Sequence, residues 1–309
     1  MSHFVKHNAR SWFIIANPTS GNRNFSKQWK EIQQLLIAKK IDFSFAFTQF
    51  SKHEIELVDT VIQQGFRNII SIGGDGTLHH VVNGIMLQRY VKTSDITIAV
   101  IPLGTGNDWI KTYSIPNNIE KAIEIIHRKK TILQDIGALK TDTKDISYFN
   151  NVAGLGYDGY IVNKLNSLKR FGSIAYLLAG ISGLLFYKKS VFKIIFDDTE
   201  IETNCLMTLF GICKYSAGGM QFTKNVNPSD GLLDITIAKN LNLFDLFYNI
   251  IKLYNGSIVY HKKIATYKTK EITVIPNTSK PFIQADGELI GTGKVTVKII
   301  KQAIRFVIS

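Results

Sequence analysis

The stretch Asn68-Ile69-Ile70-Ser71-Ile72-Gly73-Gly74-Asp75-Gly76-Thr77 decides the architecture of the first half of the chain. Its first five residues, with three isoleucines, are typical of a buried strand, and two glycines end that strand. Residues 78–87 follow with the spacing of a helix. A glycine-rich turn between a buried strand and a helix predicts one unit of an α/β domain.

The same alternation extends along the chain in both directions. Strand-like runs are predicted at 12–16, 43–47, 68–72 and 97–101, and helices at 25–39, 53–64 and 78–87. Strands that alternate with helices predict a parallel sheet with helices on both faces.

The pattern changes after about Asp135, where strand-like runs follow one another. They lie at 146–152, 191–196, 205–213, 233–238, 264–275, 281–285 and 294–301, with helical patches at 160–185 and 243–254. Consecutive strands predict an antiparallel β-sandwich as a second domain. A length of 309 residues also favours two domains over one core.

The formal net charge of +13 predicts attraction to polyanions. No arginine-rich arm, zinc-finger pattern or RNA-recognition motif is present, so nucleic acid is not expected as a partner. Cys205 and Cys213 lie in an apolar stretch and are predicted to be buried thiols of a reducing cytosol. The longest apolar run, 171–187, is short for a membrane span. We expect a cytoplasmic protein in peripheral contact with anionic membrane.

Three turns with the composition of phosphate-binding loops follow predicted strands. They are residues 17–21 (NPTSG), 73–77 (GGDGT) and 102–108 (PLGTGND). Ligands bind outside the carboxyl ends of strands in open α/β sheets, and glycine lets backbone N–H groups approach phosphate oxygens. The alternative is that these glycines only form tight turns. Asp75, between glycines, could hold magnesium or orient a hydrogen-bond donor.

These turns lead to a family resemblance. Residues 73–77 resemble a signature shared by diacylglycerol kinases, sphingosine kinases, NAD kinases and 6-phosphofructokinases, and residues 105–108 (TGND) narrow it to the lipid-kinase branch. Residues 154–158 (GLGYD), 228–234 (PSDGLLD) and 286–288 (DGE) match that branch in order and spacing. The chain is therefore identified as a member of the family of bacterial diacylglycerol kinase-like lipid kinases.

The resemblance implies an ATP-binding domain of the NAD kinase and phosphofructokinase type at 1–135, to which residues from about 294 to 309 return. It implies a β-rich lipid- and metal-binding domain at 136–293. The nucleotide-binding residues that it implies are Asn17, Pro18, Thr19, Ser20, Gly21, Thr48, Gly73, Gly74, Asp75, Gly76, Thr77, Gly104, Thr105, Asn107 and Asp108.

The resemblance also implies a general base and a magnesium site. Asp286 matches the base that accepts a proton from the lipid hydroxyl, and Asp75 is its rival. Asp230, with the main-chain carbonyls of Asn227 and Leu232, matches the magnesium ligands, which are oxygen atoms as this ion prefers. Glu288 would support the base or bind metal through water. Without the resemblance, residues 228–231 predict an ordinary turn and residues 285–288 a hairpin turn.

The acceptor side of the chain is less informative. Residues 171–178 resemble a segment of the family's acceptor region, and Lys169, Arg170, Lys188 and Lys189 flank it. His80 stands where the family usually carries a glutamate. The lipid could be diacylglycerol, another glycerolipid, a sphingoid base or a polyprenol, and a homodimer is left open. The alternatives are a small-molecule kinase like NAD kinase, or a lipid- and nucleotide-binding regulator with weakened catalysis.

Overall fold

The computed structural model describes residues 11–21, 24–104, 106–142, 145–165, 183, 187–241, 243–277 and 279–309. They fall into two compact units, which divide between Gln134 and Asp135 and again between Lys301 and Gln302. Most of the predicted helical patch at 160–185 lies outside the described residues. Among the described residues, no helix combines the length and apolar character needed to cross a membrane.

The first unit contains a parallel sheet. Its strands are β1 (Trp12–Ala16), β2 (Phe43–Phe47), β3 (Asn68–Gly73) and β4 (Thr97–Pro102), in the order β2-β1-β3-β4. The end of the last strand of the chain, β17 (Val295–Val307), adds parallel to β4. The β1 side chains are all buried, as expected for a parallel strand with covered faces.

Helices accompany this sheet in the described part of the unit. They are α1 (Phe25–Ala38), α2 (His53–Gln63), α3 (Asp75–Leu87), α4 (Trp109–Thr112) and α5 (Ile119–Arg128). Helix α1 packs against α5, and α2 packs against α3. Helix α3 begins at Asp75, three residues before the predicted start, because the end of the glycine turn adopts the first helical turn. Helix α5 was not predicted.

The second unit is built mainly of antiparallel strands, which confirms the predicted fold class. They are β5 (Thr131–Thr141), β6 (Ser147–Phe149), β7 (Val152–Gly156), β8 (Ser190–Phe196), β9 (Thr199–Gly211), β10 (Tyr215–Ser216), β11 (Met220–Gln221), β12 (Leu233–Lys239), β13 (Ile264–Thr269), β14 (Glu271–Pro276), β15 (Phe282–Ala285) and β16 (Glu288–Thr292). The helices are α6 (Tyr157–Leu165), α7 (Leu243–Tyr248) and α8 (Ile250–Asn255).

The main strand order of this unit is β16-β15-β7-β9-β8-β14-β17, and β12 lies between β9 and β13. The predicted strand at 264–275 is two strands that separate at Lys270, and the predicted strand at 146–152 is divided between β6 and β7. Cys205 and Cys213 are both buried, as predicted.

Candidate functional site

The predicted phosphate-binding turns of the first unit meet at the carboxyl ends of its parallel strands. Asn17 follows β1, and its backbone N–H donates to the carbonyl of Ile72 in β3 at 3.0 Å. Thr48 follows β2, and its backbone N–H donates to the carbonyl of Ala16 at 2.9 Å. The sheet register therefore places Asn17 beside the glycine turn that ends β3, and Thr48 beside the end of β1.

Glycine contacts hold the second and third turns together. The N–H groups of Leu103 and Gly104 both donate to the carbonyl of Gly73, at 3.0 and 3.2 Å. A Cβ atom on Gly104 would lie 2.5 Å from the Cα of Gly74, and a Cβ on Gly74 would lie 2.9 Å from the carbonyl oxygen of Gly106. Only glycine at positions 74 and 104 allows the two backbones to approach this closely.

The first turn joins the same cluster. Gly21 has a φ of +84°, and a Cβ there would lie 2.1 Å from the carbonyl oxygen of Leu103. The side-chain amide of Asn17 donates to Thr77 Oγ1 at 3.4 Å, and the Thr19 hydroxyl donates to Asn17 Oδ1 at 2.8 Å. Three turns that are far apart in sequence thus form one surface of backbone groups and hydroxyls.

Asp75 connects the second turn to the third. Its carboxylate accepts backbone N–H groups from Asp108 at 2.7 Å and from Trp109 at 3.3 Å, and its own N–H donates to the carbonyl of Gly106 at 3.0 Å. The Asp75 carboxylate therefore holds the N–H groups at the start of α4. Magnesium at Asp75 stays a prediction.

The remaining predicted nucleotide residues belong to the same turns. The side-chain amide of Asn107 donates to the carbonyl of Gly104 at 2.6 Å, and Asp108 pairs with Lys111 at 2.7 Å. Pro18, Ser20 and Gly76 lie within the first and second turns. Thr105 lies outside the described residues.

His80 is a neutral side chain at physiological pH. Burial, with smaller contributions from the nearby charges of His79 and Lys52, lowers the pKa of His80 to about 4. The His79 and His80 rings lie 5.2 Å apart, edge to face. In the described part of the chain, no three His, Cys, Asp or Glu side chains form a group able to hold a metal.

Asp286 lies in a two-residue hairpin turn of the second unit. Ala285 of β15 pairs with Glu288 of β16, and the turn residues Asp286 and Gly287 have φ values of 52° and 83°. Positive φ at both central residues is the requirement of a type I′ turn, which Asp-Gly favours. The hairpin turn that the sequence predicts at residues 285–288 is therefore present, and Asp286 is the first of its two turn residues.

The Asp286 carboxylate is held by three backbone N–H groups. Asn151 donates at 2.9 Å and Val152 at 3.2 Å to Oδ1, and Asn150 donates at 3.0 Å to Oδ2. These donors are the two residues between β6 and β7 and the first residue of β7, and no pattern in the sequence linked them to Asp286. They fix the direction of the carboxylate, as a positioned reactive group requires.

A buried polar chain supports the same turn. Gln284 Oε1 accepts the N–H of Gly287 at 2.8 Å, and Gln284 Nε2 donates to the Asp158 carboxylate. Burial raises the pKa of Asp158 to about 6, against the opposing effect of the Gln284 hydrogen bond. Asp158, in the segment 154–158 that matches the family, therefore helps to hold the Asp286 turn through Gln284. Gln284 was not predicted as a site residue, although a glutamine inside a buried strand indicates a side chain with a specific hydrogen-bond partner.

The predicted magnesium turn already contains a cation from the chain. Lys268 Nζ lies 2.8 Å from Asp230 Oδ2 and 3.3 Å from Asp234 Oδ2. Asp230 Oδ1 accepts the N–H of Leu232 at 3.0 Å, and the Asn227 carbonyl accepts the N–H of Asp230 at 3.4 Å. A divalent ion at Asp230 would have to displace Lys268, so these contacts fit a resident lysine better than a resident metal.

Asp234 adds to the negative charge of this turn. Burial raises its pKa to about 6, the charge and hydrogen bond of Lys268 lower it, and Asp230 raises it. Lys268 therefore offsets repulsion between two carboxylates. Glu288, also predicted near metal, starts β16 at the Asp286 hairpin.

Two family models together match nearly all of the chain. The model described as "Diacylglycerol kinase catalytic domain" matches residues 11–139, and the model described as "YegS C-terminal NAD kinase beta sandwich-like domain" matches residues 151–308.

Relatives match at similar coverage. YtlR of Bacillus subtilis (strain 168), which is named as a lipid kinase, is 30% identical over 91% of this chain and 94% of its own length. A diacylglycerol kinase of Staphylococcus carnosus (strain TM300) is 28% identical over 94% of this chain and 92% of its own. A crystal structure of a diacylglycerol kinase from Bacillus anthracis str. Sterne aligns with a TM-score of 0.75 at 22% identity, over 97% of both chains.

Proposed function

We propose that this chain, which belongs to the diacylglycerol kinase family of lipid kinases, transfers the γ-phosphoryl group of ATP to the hydroxyl of a glycerolipid such as diacylglycerol. Membership of the family makes it a phosphotransferase with a lipid alcohol as acceptor. The identity of the donor and of the lipid is the part that we propose.

One observation carries the proposal for the donor: the mutual contact of three turns at the strand ends of the first unit. The approach of Gly74 to Gly104 and of Gly21 to Leu103 leaves backbone and small polar groups at this edge. Such a surface suits phosphate oxygens, since glycine turns without side-chain bulk let a phosphate group approach the backbone closely. We propose that it binds the ATP phosphates, with Thr48, Thr77 and Thr105 as hydroxyl donors.

We propose that Asp286 accepts the proton of the lipid hydroxyl as the hydroxyl oxygen attacks the γ-phosphorus. The support is its match to the family's base and its rigid carboxylate, held by the N–H groups of Asn150, Asn151 and Val152. The bond from the γ-phosphorus to the bridging oxygen breaks as the new bond forms, and ADP leaves. The phosphoryl transition state is loose, so such a base mainly positions the nucleophile and takes its proton late.

Magnesium is expected with the nucleotide. Bound to the phosphates, it would neutralise charge that develops on their oxygens. The Asp75 carboxylate accepts the backbone N–H groups of Asp108 and Trp109 and thereby orients the start of α4. We therefore propose that Asp75 keeps the third turn in place for the nucleotide, rather than acting as the base.

The experiment is phosphate transfer from γ-labelled ATP to a panel of acceptors. The panel contains short-chain diacylglycerol, phosphatidylglycerol, sphingosine, a polyprenol and NAD, each with magnesium. We expect label in a glycerolipid product, none in NAD, and none with the Gly74→Val protein. Label in NAD alone would replace the proposal with a small-molecule kinase. Absence of transfer to every acceptor, with ATP bound normally, would favour the regulator.

A further inference from the structure

A run of exposed apolar side chains occupies one segment of the second unit. Their exposed fractions are 72% for Phe244, 79% for Tyr248, 74% for Ile251 and 69% for Tyr260. Tyr254, between them, is also exposed. We call these five residues the helical patch. Large apolar side chains that gather on a protein surface mark contact with a protein, ligand or membrane.

The helical patch has a regular geometry. Helices α7 and α8 are separated only by Asn249, whose side-chain amide donates to the carbonyl of Asp245 at 2.6 Å. Phe244 and Tyr248 are four residues apart in α7, the spacing of one helix face, and Ile251 follows near the start of α8.

Other side chains of the same segment form a buried core cluster. Leu253, Ile258 and Val259 are buried in one cluster with Met220. The exposed side chains are therefore not needed to fill the interior, and burying them in a partner would remove their apolar area from water.

Cations border the helical patch. Lys224 Nζ lies 5.1 Å from the centre of the Tyr260 ring, and Lys252 and Lys262 are exposed. Asp245 is the only acidic residue between positions 240 and 263, and it pairs with Lys263. The segment thus combines aromatic rings with a net positive charge. Protein interfaces are depleted in lysine, whereas anionic headgroups attract it.

We propose that the helical patch docks the protein on the surface of an anionic lipid bilayer, with Phe244, Tyr248 and Ile251 entering the headgroup region. Aromatic side chains with a polar end, such as Tyr248, are well suited to the boundary between headgroups and acyl chains. The bordering lysines meet lipid phosphates. The choice of lipid over protein rests on the proposed function, because a lipid kinase must reach an acceptor that resides in a bilayer.

The first test is sedimentation of the full-length protein with vesicles of phosphatidylglycerol and phosphatidylcholine. The triple variant Phe244→Ser/Tyr248→Ser/Ile251→Ser should bind at least about tenfold more weakly, since three apolar insertions are lost. The matched control is Ile37→Ser, at an exposed isoleucine of α1 in the first unit. It should bind like the parent. Equal binding by the triple variant would overturn the proposal.

A second measurement reports position directly and does not depend on the fold of the triple variant. Tyr248→Trp should show a blue-shifted emission with anionic vesicles, whereas Ile37→Trp should not. An unshifted Tyr248→Trp spectrum with the protein bound would place the contact elsewhere. If the parent is a dimer that the triple substitution dissociates, while vesicle binding is unchanged, the occupant is a second copy and the lipid assignment falls.

Activity separates this proposal from the proposed function. The triple variant should phosphorylate dispersed short-chain diacylglycerol as the parent does, and lose about tenfold or more on the same lipid in vesicles. Equal loss on dispersed lipid would contradict a docking role. If the parent phosphorylates neither form, the proposed function fails, and the sedimentation and fluorescence results still decide the docking surface.

Discussion

Asp286 has two tasks that one substitution affects together. Its carboxylate accepts three backbone N–H groups, and the amide nitrogen of an asparagine at this position cannot accept from such a donor. We expect Asp286→Asn to lower turnover by about 10²–10⁴-fold, as the loss of a positioned base does. We also expect a loss of about 1–3 kcal/mol in the free energy of unfolding from the lost hydrogen bonding. Turnover measured well below the melting temperature isolates the chemical effect.

Asp75→Asn is the matched control for that variant, because the Asp75 carboxylate also accepts backbone N–H groups. It should cost similar stability and weaken ATP binding, with turnover at saturating ATP less affected than in Asp286→Asn. The reverse ranking of turnover, with ATP binding intact in Asp75→Asn, would make Asp75 the base.

The raised pKa of Asp158 predicts that the free energy of unfolding depends on pH. Its folded pKa of about 6 lies above the unfolded value of 3.8, so the folded state binds this proton more tightly. The stabilisation is fully present below pH 3.8 and is lost as pH rises through about 6. The difference between these two pKa values amounts to about 3 kcal/mol.

The measurement is urea unfolding of the parent and of Asp158→Asn between pH 4 and pH 8. Relative to the parent, Asp158→Asn should gain about 1–3 kcal/mol of stability over that range, because the asparagine carries no charge to desolvate. Asp198→Asn, at an exposed turn position, should show no such trend. A stability difference between Asp158→Asn and the parent that does not vary with pH would contradict the argument.

The contacts of Lys268 with Asp230 and Asp234 predict how this turn responds to magnesium. Lys268→Gln leaves Asp230 and Asp234 without their cation and should cost about 1–2 kcal/mol, discounted for a side chain that is one-third exposed. It should also gain a magnesium-dependent rise in melting temperature that the parent lacks. Lys193→Gln, which breaks an exposed pair with Glu200, is the control and should gain none.

A different outcome would restore the magnesium site predicted from the family. In that case the parent itself shows a saturable rise in melting temperature with magnesium, and Asp230→Asn removes it. Lys268 would then lie beside the ion without excluding it.

At the scale of elements, the turns after β3 and β4 depend on each other through glycine. Gly104→Ala would bring its Cβ to 2.5 Å from Gly74 Cα, and backbone atoms cannot yield cheaply. We expect a loss of about 1–3 kcal/mol in stability and at least tenfold weaker ATP binding, because the turns must separate. Calorimetric titration with a non-hydrolysable ATP analogue measures the second effect.

Gly106→Ala tests whether stability depends on the close contact of Gly104 with Gly74, or on glycine at every position of these turns. The nearest atom to its Cβ would be Asp75 Oδ2, at 3.9 Å, so the substitution fits without strain. The melting temperature should stay that of the parent. A drop equal to that of Gly104→Ala would show that the turns do not depend on this contact.

At the scale of the whole molecule, the net charge of +13 predicts salt-sensitive attachment to membranes. Each Lys or Arg near an anionic surface contributes about 1 kcal/mol, and this contribution is screened by salt. Binding to phosphatidylglycerol vesicles should fall at least tenfold between low and high salt, and pure phosphatidylcholine should bind weakly throughout. Equal sedimentation with both kinds of vesicle at low salt would contradict this.

Local sequence patterns were sufficient for most elements of the first unit. The bounds of β1 and β2 were predicted to the residue, since apolar runs ended by proline, glycine or polar residues are local signals. The glycine turns could also be predicted from the sequence, because a close backbone approach restricts the residue type at that position. The second unit was predicted in class but less well in bounds, where β13 and β14 were joined into one strand.

By itself, the sequence determined the α/β and β-rich halves, the three turns and the acidic residues of interest. Only the tertiary structure decided their partners: Asp75 with the start of α4, Asp286 with Asn150–Val152 across about 135 positions, and Asp230 with Lys268. The physical reason is that periodicity reports which face of an element is buried. Partners distant in sequence depend on which strands pair and in what register, and the same holds for the exposure of the helical patch.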